Sequence, residues 1–207
     1  MLSSLIANPL EVVVYLIGIV FALTIHEYAH AWAAVKSGDD TPRLMGRLNL
    51  NPLSHIDILG GLMFVLVGFG WGKPVMYNPM RLRYRRQELY IALAGPAANL
   101  VAALFLRLAI VGLLALNLTS TQATTFLSFL NIVATVNVYL AAFNILPIPP
   151  LDGSSIIAYF FPSFRGFFAS QIGLILLLLL ILPTSGNSLL GAIMLPIISF
   201  FQKITLG

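Results

Sequence analysis

The chain contains no cysteine, so disulfides, thiolate metal ligands and a cysteine nucleophile are all excluded. Charge is scarce too: 9% of the 207 residues are Asp, Glu, Lys or Arg, against about a quarter in a soluble domain. Any metal binding or proton transfer has to draw on three histidines and seven acidic residues. No repeat, charge block or low-complexity linker interrupts the chain, so residues 1–207 are expected to form a single domain.

Apolar residues take the place of charge, at 59% of the chain, with a mean hydropathy of +0.95. A helix needs about 20 mostly apolar residues to cross a bilayer. Runs at 10–34, 89–116 and 125–145 meet that length, and two shorter ones follow at 167–182 and 189–201. An all-α polytopic membrane protein is the expectation. The first run does not resemble a cleaved signal peptide, because no Lys or Arg precedes Lys36 and no small-residue cleavage site follows a short apolar core.

The net charge of +4 would suggest nucleic acid in a soluble protein. Here eight of the eleven basic residues lie between Lys36 and Arg86, beside membrane spans. Contact with lipid headgroups and control of topology explain them, and the bilayer, not nucleic acid, is the expected partner. Basic loops face the cytoplasm. The N-terminus is therefore expected outside, with Arg165 in a second cytoplasmic loop and Lys203 placing the C-terminus inside if both late runs span.

The stretch 38–86 differs in character. Asn51-Pro52, Gly60-Gly61, Gly70-Trp71-Gly72, Lys73-Pro74 and Asn78-Pro79 are turn signals, and the apolar piece at 56–69 is only 14 residues long. It is expected to be a short re-entrant or interfacial β-containing segment between the first two long helices. Irregular backbone at membrane depth is tolerated only against protein or a wet cavity, so a cavity is implied.

The strongest local signal is His26-Glu27-Tyr28-Ala29-His30 on the first apolar run. Residues four apart share a helix face, so both imidazoles can reach one metal ion. Glu27, beside that face, can take a proton from a metal-activated water. Ionisable groups inside a span are costly and mark function by default; the plain alternative is a polar contact between helices.

A catalytic zinc usually has three protein ligands and a water. The third must come from Asp39, Asp40, Asp57, Glu88, Asp152 or His55. Asp152 follows Pro147, Pro149 and Pro150, which cannot continue a helix, and it lies at the same end of the membrane as His26 and His30. An ordinary Asp-Gly turn is the plain reading of Asp152-Gly153; the need for a third ligand favours Asp152. His55 is better placed to order its loop or the site entrance.

At this point the chain resembles the site-2 protease family of intramembrane zinc metalloproteases. The resemblance rests on His26 to His30, Asn51-Pro52-Leu53-Ser54-His55-Ile56-Asp57, Gly70-Trp71-Gly72-Lys73-Pro74-Val75 and Ala94-Gly95-Pro96-Ala97-Ala98-Asn99. Phe143-Asn144-Ile145-Leu146-Pro147 and Leu151-Asp152-Gly153 complete it, in the family's order over roughly residues 20 to 160. It implies a three-helix catalytic core with additional C-terminal helices, and one zinc per chain held by His26, His30 and Asp152. It also implies that Asn144 assists the transition state. No loop has room for a PDZ domain and no CBS pair follows, so a minimal form is expected.

The chemistry implied is peptide hydrolysis by zinc-activated water, with Glu27 as general base and Asn144 donating to the oxyanion. A substrate helix must unwind to be cut. The segment Gly70, Trp71, Gly72, Lys73, Pro74 and Val75 could offer a strand edge to its backbone, or could be a surface anchor. Gly95 to Ala98 read as close helix packing, and Asn99 either bonds a neighbouring helix or lines the cleft. The resemblance suggests single-span membrane proteins as substrates; the shortness of the chain favours a prokaryotic plasma membrane, and the basic loops put the site toward the cytoplasm. A divalent-metal transporter is the rival from another class; against it stands the lack of an internal repeat.

Overall fold

In a bilayer an apolar run has no water to satisfy its backbone, so it closes its hydrogen bonds internally as a helix. The structure, a computed structural model, describes residues 9–67, 70–116, 120–164, 172–181, 183–184 and 187–206. Arg165, Gly68, Phe69 and the start of the 167–182 run lie outside the described residues.

In chain order the helices are α1 (Pro9–Lys36), α2 (Thr41–Leu44), α3 (Ile58–Val67), α4 (Arg86–Ala115) and α5 (Thr121–Asn144). They are followed by α6 (Asp152–Phe160), α7 (Ile172–Ile181) and α8 (Leu189–Leu206). Three of them, α1, α4 and α5, are long and apolar enough to cross a membrane. The protein is an integral membrane protein.

Those three pack pairwise into the core. Association within lipid gains little from hydrophobicity and depends on close backbone approach. The chain supplies it with alanines at the contacts: Ala22, Ala31, Ala34, Ala134, Ala141 and Ala142 are all fully buried. Large apolar side chains such as Phe105, Val111 and Leu114 point outward, as lipid-facing surface requires. Ser120 caps α5 by accepting from Ala123 N at 3.2 Å, one of the orphan donors of its first turn.

The end of α1, the start of α4 and α6 meet at one end of the bundle. Arg83 N donates to Ser37 O at 3.3 Å, and the Arg85 guanidinium reaches Tyr159 O at 2.7 Å. Helices α7 and α8 brace the turn that follows α5. Leu177, Met194 and Ile198 pack with Ala142, Leu146, Ile148 and Leu151 into one buried cluster.

The β-containing segment expected between the first two long helices is not found among the described residues. The apolar piece forms α3, started by Asp57, which accepts from Gly60 N at 2.8 Å. Among the described residues of that stretch, the one ladder contact is an isolated antiparallel bridge between Ile56 and Gly72. The extended chain after it does not become a strand because it has no extended partner. Pro74 lacks an N–H, and the N–H groups of Val75 and Asn78 go to carboxylates instead. The only strand pairing in the described residues is a two-residue one near the C-terminus, Pro183–Thr184 with Asn187–Ser188.

Candidate metal centre and catalytic site

His26 and His30 stand one turn apart on α1, both buried, and their Nε2 atoms are 3.0 Å apart. Asp152 opens α6, and its Oδ2 lies 3.1 Å from His26 Nε2 and 3.2 Å from His30 Nε2. Among the described residues these three form the one cluster of side chains able to hold a metal ion. His55, the other candidate weighed from sequence, is fully buried elsewhere and bonds Asn49 O through Nε2 at 2.8 Å. It orders its loop.

Local sequence explains how Asp152 arrives. The prolines at 147, 149 and 150 end α5 and turn the chain, with the Pro149–Pro150 peptide bond cis. Gly153 then lets α6 start hard against the end of α5, because a Cβ there would run into the carbonyl oxygens of Ile145 and Leu146. A side chain at 153 would push Asp152 off the histidines.

The hydrogen bonds behind the imidazoles set their chemistry. His30 Nδ1 faces Ile91 O at 2.7 Å, so it carries the proton. His26 Nδ1 faces Asn99 Oδ1 at 2.7 Å, and Asn99 is oriented because its Nδ2 donates to Ala22 O and Asn137 Oδ1, each at 2.9 Å. Both Nε2 atoms are then lone-pair acceptors aimed at Asp152. Asp152 Oδ2 is itself buried and accepts no hydrogen bond.

Three lone-pair atoms so close repel one another unless a cation sits among them. Their spacing of 3.0 to 3.2 Å is near the edge of about 3.3 Å for a tetrahedron with bonds of about 2.0 Å. Two imidazoles and a carboxylate are a donor set that zinc accepts. The residues fit the metal.

Glu27 is also buried, at 8% exposure, and its Oε2 accepts from Val75 N at 3.1 Å. The 70–75 segment is thus brought to Glu27. Within it Gly72 bridges Ile56, Lys73 N donates to His55 O at 2.8 Å, and Trp71, Lys73 and Pro74 are exposed. Asn144, the last residue of α5, donates its side-chain amide to Leu140 O at 3.0 Å on its own helix.

Two residues behind the site were not assigned from sequence. The sequence leaves Asn99 open within a packing motif and does not mark Asn137. Both are completely buried, and Asn137 Nδ2 is anchored on Val133 O at 2.8 Å. The available signal was a buried amide in an apolar run, which is costly unless paired. Asn99→Ala is expected to weaken metal binding about tenfold to a hundredfold, the usual effect of losing a partner behind a ligand histidine. Competition with a chelator of known affinity, at unchanged helix content by circular dichroism, measures it.

A membrane-embedded helix bundle that presents His-Glu-x-x-His and a converging carboxylate is the architecture of an intramembrane metalloprotease. Comparison with known proteins agrees: the model of peptidase family M50 matches residues 14–122 and 109–180. The chain is 37% identical over 155 residues to "Putative zinc metalloprotease YwhC" of Bacillus subtilis, covering 72% of this chain and 70% of that one. It is 35% identical over 146 residues to "Putative zinc metalloprotease Rip2" of Mycolicibacterium smegmatis, covering 66% of this chain and 52% of the relative. For the Mycobacterium tuberculosis protein of the same name the identity is 33% over 149 residues, covering 68% and 54%. The matches thus span about half the length of the two Rip2 proteins. No solved structure matches significantly. The chain belongs to peptidase family M50, the site-2 protease family.

Proposed function

We propose that this chain is a zinc-dependent protease that cuts peptide bonds within or near the transmembrane segments of other membrane proteins. The observation that carries the reading is the convergence of His26 Nε2, His30 Nε2 and Asp152 Oδ2, with both Nδ1 atoms already engaged. The donor chemistry and the relatives named as zinc metalloproteases support one zinc per chain.

Zinc, when bound by His26, His30 and Asp152, supplies a Lewis acid that polarises the scissile carbonyl and acidifies the attacking water. Glu27 accepts the proton and returns it to the leaving amine. A side-chain amide has two N–H donors; Leu140 O holds one from Asn144, and the other serves the developing oxyanion, a contact worth about 3 kcal/mol.

An unwound substrate pairs with the outer edge of the 70–75 segment. The N–H groups of Lys73 and Val75 are taken on the inner side, so the outer edge offers the alternate residues, and at Pro74, which has no N–H, only a carbonyl acceptor. Residues 1–207 act as one protease domain. The basic residues between Lys36 and Arg86 favour a cytoplasmic site and an outside N-terminus in a prokaryotic plasma membrane.

The test is cleavage of single-span substrates by purified protein in lipid nanodiscs. Cleavage is expected, with loss after treatment with a zinc chelator and recovery when zinc is restored. Activity that survives complete metal removal, or zinc transport in proteoliposomes without cleavage, would sink the proposal.

A further inference from the structure

The chain that runs from Gly72 to Arg83 passes Glu27 as a strap. Four of its backbone N–H groups tie it down. Lys73 N donates to His55 O at 2.8 Å, Val75 N to Glu27 Oε2 at 3.1 Å, Asn78 N to Asp39 Oδ2 at 2.6 Å and Arg83 N to Ser37 O at 3.3 Å. Two of the four acceptors are carboxylates. One belongs to the proposed general base, and the other lies just beyond the end of α1, with no part in the metal cluster.

Asp39 is built for holding. It is fully buried, and its Oδ1 accepts from Thr41 N at 3.1 Å and Thr41 Oγ1 at 2.6 Å. Arg81, on the strap itself, stands 4.0 Å away through Nη1. Burial alone would push the carboxyl up; the hydrogen bonds from Thr41 and Asn78, with Arg81, pull it below the usual carboxylate range. The anchor is an anion at neutral pH.

We infer that Asp39 is a positioning residue for catalysis: by holding Asn78 it keeps the Val75 N–H on Glu27 and so fixes the orientation of the base. With Oε2 held, Glu27 has Oε1 free for proton transfer in one defined direction. Loss of the anchor lets the strap lift and the Glu27 carboxylate turn. The inference rests on Glu27 being the base, and the test separates the two.

Asp39→Asn keeps the side-chain volume. Its single carbonyl oxygen stays with Thr41, which leaves an N–H donor facing the Asn78 N–H. In nanodiscs with a single-span substrate, kcat is expected to fall about tenfold to a hundredfold, as small misplacements of reacting groups do. KM and zinc content should stay within about twofold of the native values. Asp40→Asn, at an exposed carboxylate paired with Arg43 at 2.9 Å, should leave activity unchanged.

Val75→Pro removes the N–H that reaches Glu27 and should cost about as much as Asp39→Asn. The double variant should be no slower than the slower single, because both changes break one linkage. Losses that multiply, full activity in Val75→Pro, or zinc loss in Asp39→Asn would each overturn the role of Asp39. If Asp39→Asn does not fold, Val75→Pro with Asp39 intact still decides between loss of kcat and none. Full activity in Glu27→Gln would instead overturn the assignment of the base. An inactive Glu27→Gln beside multiplying losses overturns Asp39 alone.

Discussion

Glu27→Gln is expected to remove nearly all peptide cleavage while leaving zinc bound. The amide has nearly the shape of the carboxylate, and its oxygen can still accept from Val75 N, so the strap stays seated. It cannot take a proton at neutral pH. Positioned acid–base groups contribute about 10² to 10⁴ in rate, and cleavage should fall by that factor. His26, His30 and Asp152 keep their contacts, since none of those described runs through Glu27. Cleavage of a labelled single-span substrate, beside zinc content by atomic emission, measures both halves. Retained cleavage would remove Glu27 from the mechanism, and loss of zinc would make it a structural residue of the metal site.

The second large effect is expected from a single methyl group. In a helix interior Gly→Ala ordinarily stabilises by about 0.5 to 1 kcal/mol. At Gly95 the sign reverses. A Cβ there would lie 2.6 Å from both Cε1 and Nε2 of His26, and closer still to His30 Nε2. It would occupy the space in which the ligand atoms converge, so either α4 withdraws from α1 or the imidazoles rotate away. Withdrawal also carries off Ile91 O and Asn99, which hold the two Nδ1 atoms. Gly95→Ala should therefore lose zinc affinity by at least about a hundredfold, the upper range for changes behind a metal ligand, with activity falling in parallel. Gly112 on the same helix meets nothing within 4 Å, and Gly112→Ala should leave zinc and activity unchanged. Zinc binding by Gly95→Ala equal to that of the native chain would refute the close approach.

Much of the site could be read from residue types because the chemistry has few candidates. With no cysteine and three histidines, a metal on the first helix had to use His26 and His30. The three prolines before Asp152 announced an unwound turn that could bring a carboxylate back. The three long helices were legible for the same reason: lipid permits no other closure for runs of that length. The segment between α1 and α4 was not legible. Gly, Pro and Asn signal turns, but whether an extended stretch becomes a strand depends on a partner far away in sequence. Here that partner was a pair of carboxylates, Glu27 and Asp39, and not another strand.

The amides behind the metal site were hidden for a related reason. An Asn in an apolar helix has to find a partner, yet nothing in the sequence says which one. That Asn99 fixes His26 and is itself fixed by Asn137 depends on the rotation of α4 and α5 about their axes, and on alanines that let the helices approach. By itself, the sequence determined that this is a nearly all-helical membrane protein with two metal-type histidines and a glutamate on one helix, because periodicity and hydropathy are local properties. Only the tertiary structure decided that Asp152 reaches those histidines, that Gly95 makes room for them and that Val75 rests on Glu27. Each of these is a contact between helices or loops far apart in the chain, set by packing that no local pattern encodes.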